Sequence, residues 1–133
     1  AILEYARNVM GMEQAAHAEF DDEGDMVITP LACSLAGKSE EVMLTPESKI
    51  ARAYGKNEIK EQYNCHYGVA ADFAAQLSDQ PLHVTGRSPD GEARVIELTT
   101  HPFFVATLFQ HERWSLYSKP SPLVQAFLTA ARG

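Results

Sequence analysis

The residues best equipped for chemistry stand together at the end of one apolar run. His101-Pro102 opens it, Phe103-Phe104-Val105-Ala106-Thr107-Leu108-Phe109 fills it, and Gln110-His111-Glu112 closes it. Such a run, bounded by polar residues, reads as a strand buried on both faces. Polar residues at the carboxyl end of that strand stand where open α/β sheets place their ligands. An amide takes no proton near neutral pH, so Gln110 cannot be a general base. His111 can, but on a strand it points away from the face shared by Gln110 and Glu112, unless a bulge re-aims it. Gln110 and Glu112 together could line a polar pocket for a small polar ligand, or simply bond to each other.

Other candidates are more scattered. Glu19 is either a functional carboxylate or an exposed loop acid. Cys65-His66 offers a reactive thiol or half a metal site, with ordinary packing as the expectation. Zinc needs four ligands at useful spacing, and His17, His83 and His101 are too dispersed to supply them. Cys33 is expected to be a small buried hydrophobe. His101, before Pro102, fits a structural turn. Trp114 and Tyr117 are expected to pack the loop that follows.

The elements that must position these groups read as follows. Ala1 to Met10 carries Ile2, Leu3, Ala6, Val9 and Met10 on one helical face, with Gly11 as its stop. Glu13 to Glu19 is a helical turn or a loop edge. Met26 to Ala36 is extended but interrupted by Pro30. Glu41 to Leu44 is a short strand. Ser48 caps a helix over Lys49 to Tyr54, and Gly55 ends it. Glu58 to Val69 reads as one strand and Ala70 to Leu77 as a helix. Leu82 to Gly86 and Ala93 to Leu98 pair through a Ser88-Pro89-Asp90-Gly91 turn. Arg113 to Ser121 is a loop. Leu123, Val124, Phe127, Leu128 and Ala131 give a last helix its apolar face.

The 133 residues suit one domain with one core. A net charge of −7 argues against a nucleic-acid partner. No apolar run approaches the roughly 18 residues a membrane helix needs. With two cysteines and no basic leader, a cytoplasmic, reducing compartment is expected.

Several stretches carry a more specific likeness: Tyr5-Ala6-Arg7-Asn8-Val9, Glu19-Phe20, Ala53-Tyr54-Gly55, Ser88-Pro89-Asp90-Gly91 and His101 to Thr107. Through them nearly the whole chain resembles the glutaminase domain of CTP synthase, a class I glutamine amidotransferase, and above all the CTP synthase C-terminal region-related proteins. The resemblance implies an α/β, class I glutamine amidotransferase-like (flavodoxin-like) sheet with flanking helices. Residues 1–133 would be the C-terminal half of that single domain. In the family a Cys-His-Glu triad hydrolyses glutamine. Its nucleophile turn, Gly-x-Cys-x-Gly, would lie just upstream of Ala1.

Carried over position by position, Gln110 stands where the family has its triad His. Glu112 stands at the triad Glu, and His111 where the family has Pro. Glu19 matches a Glu that helps hold substrate glutamine. His66 replaces a glutamine-contacting Arg, and Tyr67 keeps the neighbouring Tyr. No cofactor and no metal are implied. No GxxxxGK[ST] phosphate loop occurs, so CTP formation itself is not implied. The expected partners are the missing N-terminal half, on the same polypeptide or a co-purifying fragment, and glutamine or a similar small ligand. A homo-oligomer is a further option, and neither nucleic acid nor membrane is expected. Three functions fit: an amidotransferase-like protein with lost or altered glutaminase chemistry, an active glutamine hydrolase using an upstream Cys with His111, or a non-catalytic assembly module.

Overall fold

Local signals account for much of the architecture. Ser48 adopts extended backbone geometry and accepts the Ala51 N–H at 3.1 Å, which starts a helix at Lys49. Gly55 ends that helix with φ +68°, a left-handed conformation that glycine adopts without steric strain. The computed structural model describes residues Ala1 to Gly133. In chain order the elements are α1 (Ile2–Asn8), β1 (Ala15–His17), β2 (Asp25–Pro30), β3 (Lys38–Leu44), α2 (Lys49–Tyr54), β4 (Glu58–Tyr63) and β5 (Tyr67–Val69). Then come α3 (Ala71–Gln76), β6 (Leu82–Arg87), β7 (Ala93–Leu98), β8 (Val105–Thr107) and α4 (Pro122–Ala131), with short 3₁₀ helices at Leu77–Asp79 and His111–Tyr117.

The strands form two sheets. The larger has the order β4-β3-β6-β7-β8 and is antiparallel throughout. The smaller has the order β1-β2-β5, with β1 parallel and β5 antiparallel to β2. The fold is therefore mixed α/β with flanking helices.

One strand organises the interior, and it is β7. Five of its residues, Ala93 to Glu97, are buried. Val95 packs into a core with Val42, Ile50, Ile59, Tyr63, Phe109 and Leu123. Its neighbour Ile96 packs into a second core with Ala6, Val27, Phe73, Leu77 and Leu82. The two charges on β7 are satisfied, one by ion pairs and one by backbone amides. Arg94 bonds Glu40 and Glu92, each at 2.8 Å. Both oxygens of Glu97 accept backbone N–H groups at the start of α2, from Lys49 at 3.0 Å and Ile50 at 2.9 Å. A buried carboxylate thus caps a helix whose first amides would otherwise lack partners.

Three expectations need correction. The run from His101 to Glu112 is not a long strand buried on both faces. Only Val105–Thr107 is strand, and its residues are half-buried. Pro102 and the turn in which the His101 ring accepts the Phe103 N–H delay the strand's start, and Thr107 turns back to bond its own chain at Phe109. Glu58 to Val69 is two strands in different sheets, separated by Asn64-Cys65-His66. Ala15–His17 is a strand rather than a helical turn or a loop edge, because it pairs with β2.

Candidate active site

The polar triplet that closes the apolar run does not act as one group. The strand has already ended at Thr107, and after Gln110 the backbone winds into the 3₁₀ helix His111–Tyr117, so the alternation expected of a strand is lost. Gln110 and Glu112 therefore do not share a strand face. Gln110 Oε1 accepts from Arg113 Nε, and Arg113 Nη1 reaches Gln62 Oε1 at 3.4 Å. The Gln110 backbone N–H bonds Gln62 O at 2.9 Å, which fixes the segment against β4. Glu112 is exposed, and its carboxylate makes no hydrogen bond or ion pair. His111 Nδ1 lies 3.0 Å from Ser121 Oγ, at the start of α4, and the residue lines an apolar groove with Phe103, Val124 and Phe127. Three adjacent residues thus face three different surroundings.

Tyr67 and the turn that carries Glu19 come together at the end of the small sheet, while His66 lies apart. Tyr67 opens β5, opposite Pro30 of β2. Its ring packs at a tilt against the ring of His17, at the end of β1, with 5.5 Å between centroids. His17 in turn lies 5.0 Å from Phe20 and accepts the Glu19 N–H on Nδ1 at 3.1 Å. Asp21 Oδ2 accepts the His17 N–H at 2.9 Å and closes the turn. Glu19 is held at that turn by its backbone while its side chain is exposed and unpaired. Tyr67, His17, Ile2, Ile28, Thr107 and Leu108 line a pocket of about 210 Å³. Thr107 and Leu108 connect it through the chain to Gln110. His66 is exposed, and its Nδ1 lies 2.9 Å from Ser34 Oγ. It does not line the Tyr67 pocket.

The cysteines differ from one another. Cys33 is exposed, which overturns its expected burial: it lies in the irregular segment after Pro30 has ended β2. Cys65 is half-buried, with Sγ 3.9 Å from the Leu108 carbonyl. Burial pushes its thiol pKa up, so it is not an activated thiolate. His101 holds a turn, as noted above, and carries no catalytic geometry.

Sequence reasoning missed His17 as a pocket residue and Glu61 as a buried acid. The second was legible: alternation along Glu58–Tyr63 sets Glu61 inward with Ile59 and Tyr63. His17 carried no signal beyond its place two residues before Glu19.

Known proteins share this fold and about a third of this sequence. No family model matches the chain. A CTP synthase of Chlamydia caviae is 33% identical over 144 residues, which cover 98% of this chain and 26% of that protein. A CTP synthase of Methanopyrus kandleri is 34% identical over 143 residues, covering 99% and 27%. The chain therefore spans about a quarter of the length of the curated relatives it matches. The glutaminase domain of a Trypanosoma brucei CTPS, solved with bound acivicin, superimposes with a TM-score of 0.88 at 24% identity, over 98% of this chain and 55% of that one. The chain is a homologue of the CTP synthases, and its fold is that of their class I amidotransferase, or glutaminase, domain.

Proposed function

We propose that this chain is a glutamine amidotransferase-like domain whose glutaminase chemistry is lost or altered, and that it binds a small amide or carboxylate. Gln110 takes the position of the triad His, with Glu112 at the triad Glu. The nucleophile Cys and the rest of the domain come from upstream polypeptide, a co-purifying fragment or a second copy. Glu19, His66 and Tyr67 are the substrate-contacting positions this chain supplies.

The observation that carries this proposal is the state of Gln110. Its side-chain oxygen is occupied by Arg113 Nε, and no imidazole hydrogen-bonds to it, because the adjacent His111 ring bonds Ser121 instead. Glu112 orients nothing, because its carboxylate has no partner. A thiol nucleophile needs a base within hydrogen-bond reach. The alternative base, His111, sits beside Ser121 and an apolar groove rather than with Gln110.

Ammonia release from glutamine, measured with the complete protein, separates the possibilities. No release above the uncatalysed background is expected, together with a rise in Tm on adding glutamine. Gln110→His should raise release by about 100-fold or more over the parent, the usual contribution of a positioned base. Turnover by the parent that disappears in His111→Ala would establish an active hydrolase instead. Neither turnover nor stabilisation would leave a non-catalytic assembly module.

A further inference from the structure

Glu61 is only 4% exposed, yet no cation pairs with it. Its Oε1 accepts two hydrogen bonds, from Tyr54 Oη at 2.7 Å and Trp114 Nε1 at 2.9 Å. Oε2 has no hydrogen-bond partner in the protein and is the carboxylate oxygen open to the cleft rather than an orphaned buried atom. Buried carboxylates are ordinarily paired or fully hydrogen-bonded. This one lines a cleft of about 260 Å³ between β4 and the 3₁₀ helix His111–Tyr117.

Three cations line the same cleft: Lys60, Arg113 and Lys119. None belongs to an ion pair, although the chain carries a net charge of −7. The Arg113 guanidinium is held by Gln110 and Gln62, so its orientation is set before anything binds. Trp114 and Tyr117 complete the walls. Trp114 is fixed edge-on against Tyr54, at 6.2 Å between ring centroids, and Tyr117 Oη accepts from Gln62 Nε2 at 3.0 Å. The cleft shares no lining residue with the Tyr67 pocket.

This arrangement selects against simple ions. A lone anion would meet the Glu61 carboxylate, and a lone cation would meet Lys60, Lys119 and Arg113. A molecule with an ammonium and a carboxylate a few bonds apart satisfies both sets, and an apolar side chain can lie against the indole. We propose that this cleft binds a free α-amino acid with an apolar or aromatic side chain. The ammonium bonds Glu61 Oε2, and the carboxylate bonds Arg113 and the two lysines. The proposal needs no glutaminase turnover, although Arg113 is anchored on Gln110, so the binding test uses the parent Gln110 chain.

Trp114 is the only tryptophan of the chain, so its fluorescence reports on the site directly. The probe is L-phenylalanine, titrated into the full chain under selective tryptophan excitation. It is compared with its methyl ester, which lacks the carboxylate, and with N-acetyl-L-phenylalanine, which lacks the ammonium. A saturable change is expected with L-phenylalanine, with each blocked form binding at least about tenfold more weakly, the loss of one charged hydrogen bond. Glu61→Gln keeps an acceptor for Tyr54 and Trp114 and should weaken binding similarly. Lys119→Glu, at an exposed position, gives a second variant that does not challenge the core. No saturation by about 10 mM L-phenylalanine, the concentration range of weak ligands, would overturn the proposal. So would an acetylated form that binds as tightly (a plain anion site), an ester that does (a plain cation site), or variants that bind like the parent.

Discussion

At the scale of the residue, exposure and protonation decide which groups can react. Cys33 and Cys65 are both free, but Cys33 is exposed whereas Cys65 is half-buried. Cys65 lies against Leu108, and burial holds its thiol in the protonated form, with the Arg94 charge opposing that effect. Thiolate fraction and access both set the rate of thiol exchange. An aromatic disulfide reagent should therefore modify Cys33 first and Cys65 much more slowly, and Cys33→Ser should leave a single slow thiol. Equal rates in the folded protein would contradict this order. The same scale shows why part of the candidate site was hidden in the sequence. Gln110, His111 and Glu112 could be placed on one segment, but their directions depended on strand geometry continuing to Glu112. It stops at Thr107, and a 3₁₀ helix turns the three side chains apart. Burial of Cys33 was inferred from its type alone, and its segment after Pro30 has no strand to bury it.

At the scale of the element, the legible parts were those with local signals. Ser48 and Gly55 bracket α2, and the turn at Ser88-Pro89-Asp90-Gly91 joins β6 to β7, as their types require. The hidden part was the ranking of strands. Ala93–Leu98 contains Arg94 and Glu97, and such charges argue against a strand buried on both faces. Tertiary partners reverse that, since Glu40, Glu92 and the α2 amides satisfy both charges. Nothing in the local sequence named those partners. Packing between β6 and β7 is correspondingly tight. Two register shifts flank Gly86. A Cβ there would stand 2.5 Å from Val95 Cγ2 and 2.8 Å from Val95 Cβ. Val95 is itself buried and branched, so it cannot swing away. Gly86→Ala should cost about 2 kcal/mol, typical of overpacking. Adding Val95→Ala should cost less in that background than in the parent, because the clash is relieved. Denaturant unfolding of the four proteins measures the coupling, and simple additivity would count against the close approach.

At the scale of the whole molecule, β7 joins the two cores. Val95 and Ile96 point into different clusters from adjacent positions, so loss of one core removes a wall of the other. Alkaline pH tests this from one side. Tyr63 is fully buried within the first core, and Tyr54 packs against it. Burial raises the pKa of both, and the nearby carboxylates Glu61 at Tyr54 and Glu40 at Tyr63 raise it further. The ordinary tyrosine value is 10.0. Below it both folded and unfolded chains keep these phenols protonated, and their contribution to stability is constant. Above it the unfolded chain releases the protons while the folded chain retains them, so stability falls as pH rises further. Of the five tyrosines, Tyr54 and Tyr63 should ionise only as the protein unfolds. Ultraviolet titration should show that delayed step. Because β7 couples the cores, circular dichroism should lose the secondary structure of both sheets in the same step. Ionisation of all five tyrosines in a still-folded protein would contradict the burial. A first-core transition that leaves α1, α3 and their sheet intact would instead show that β7 does not tie the two cores into one cooperative unit.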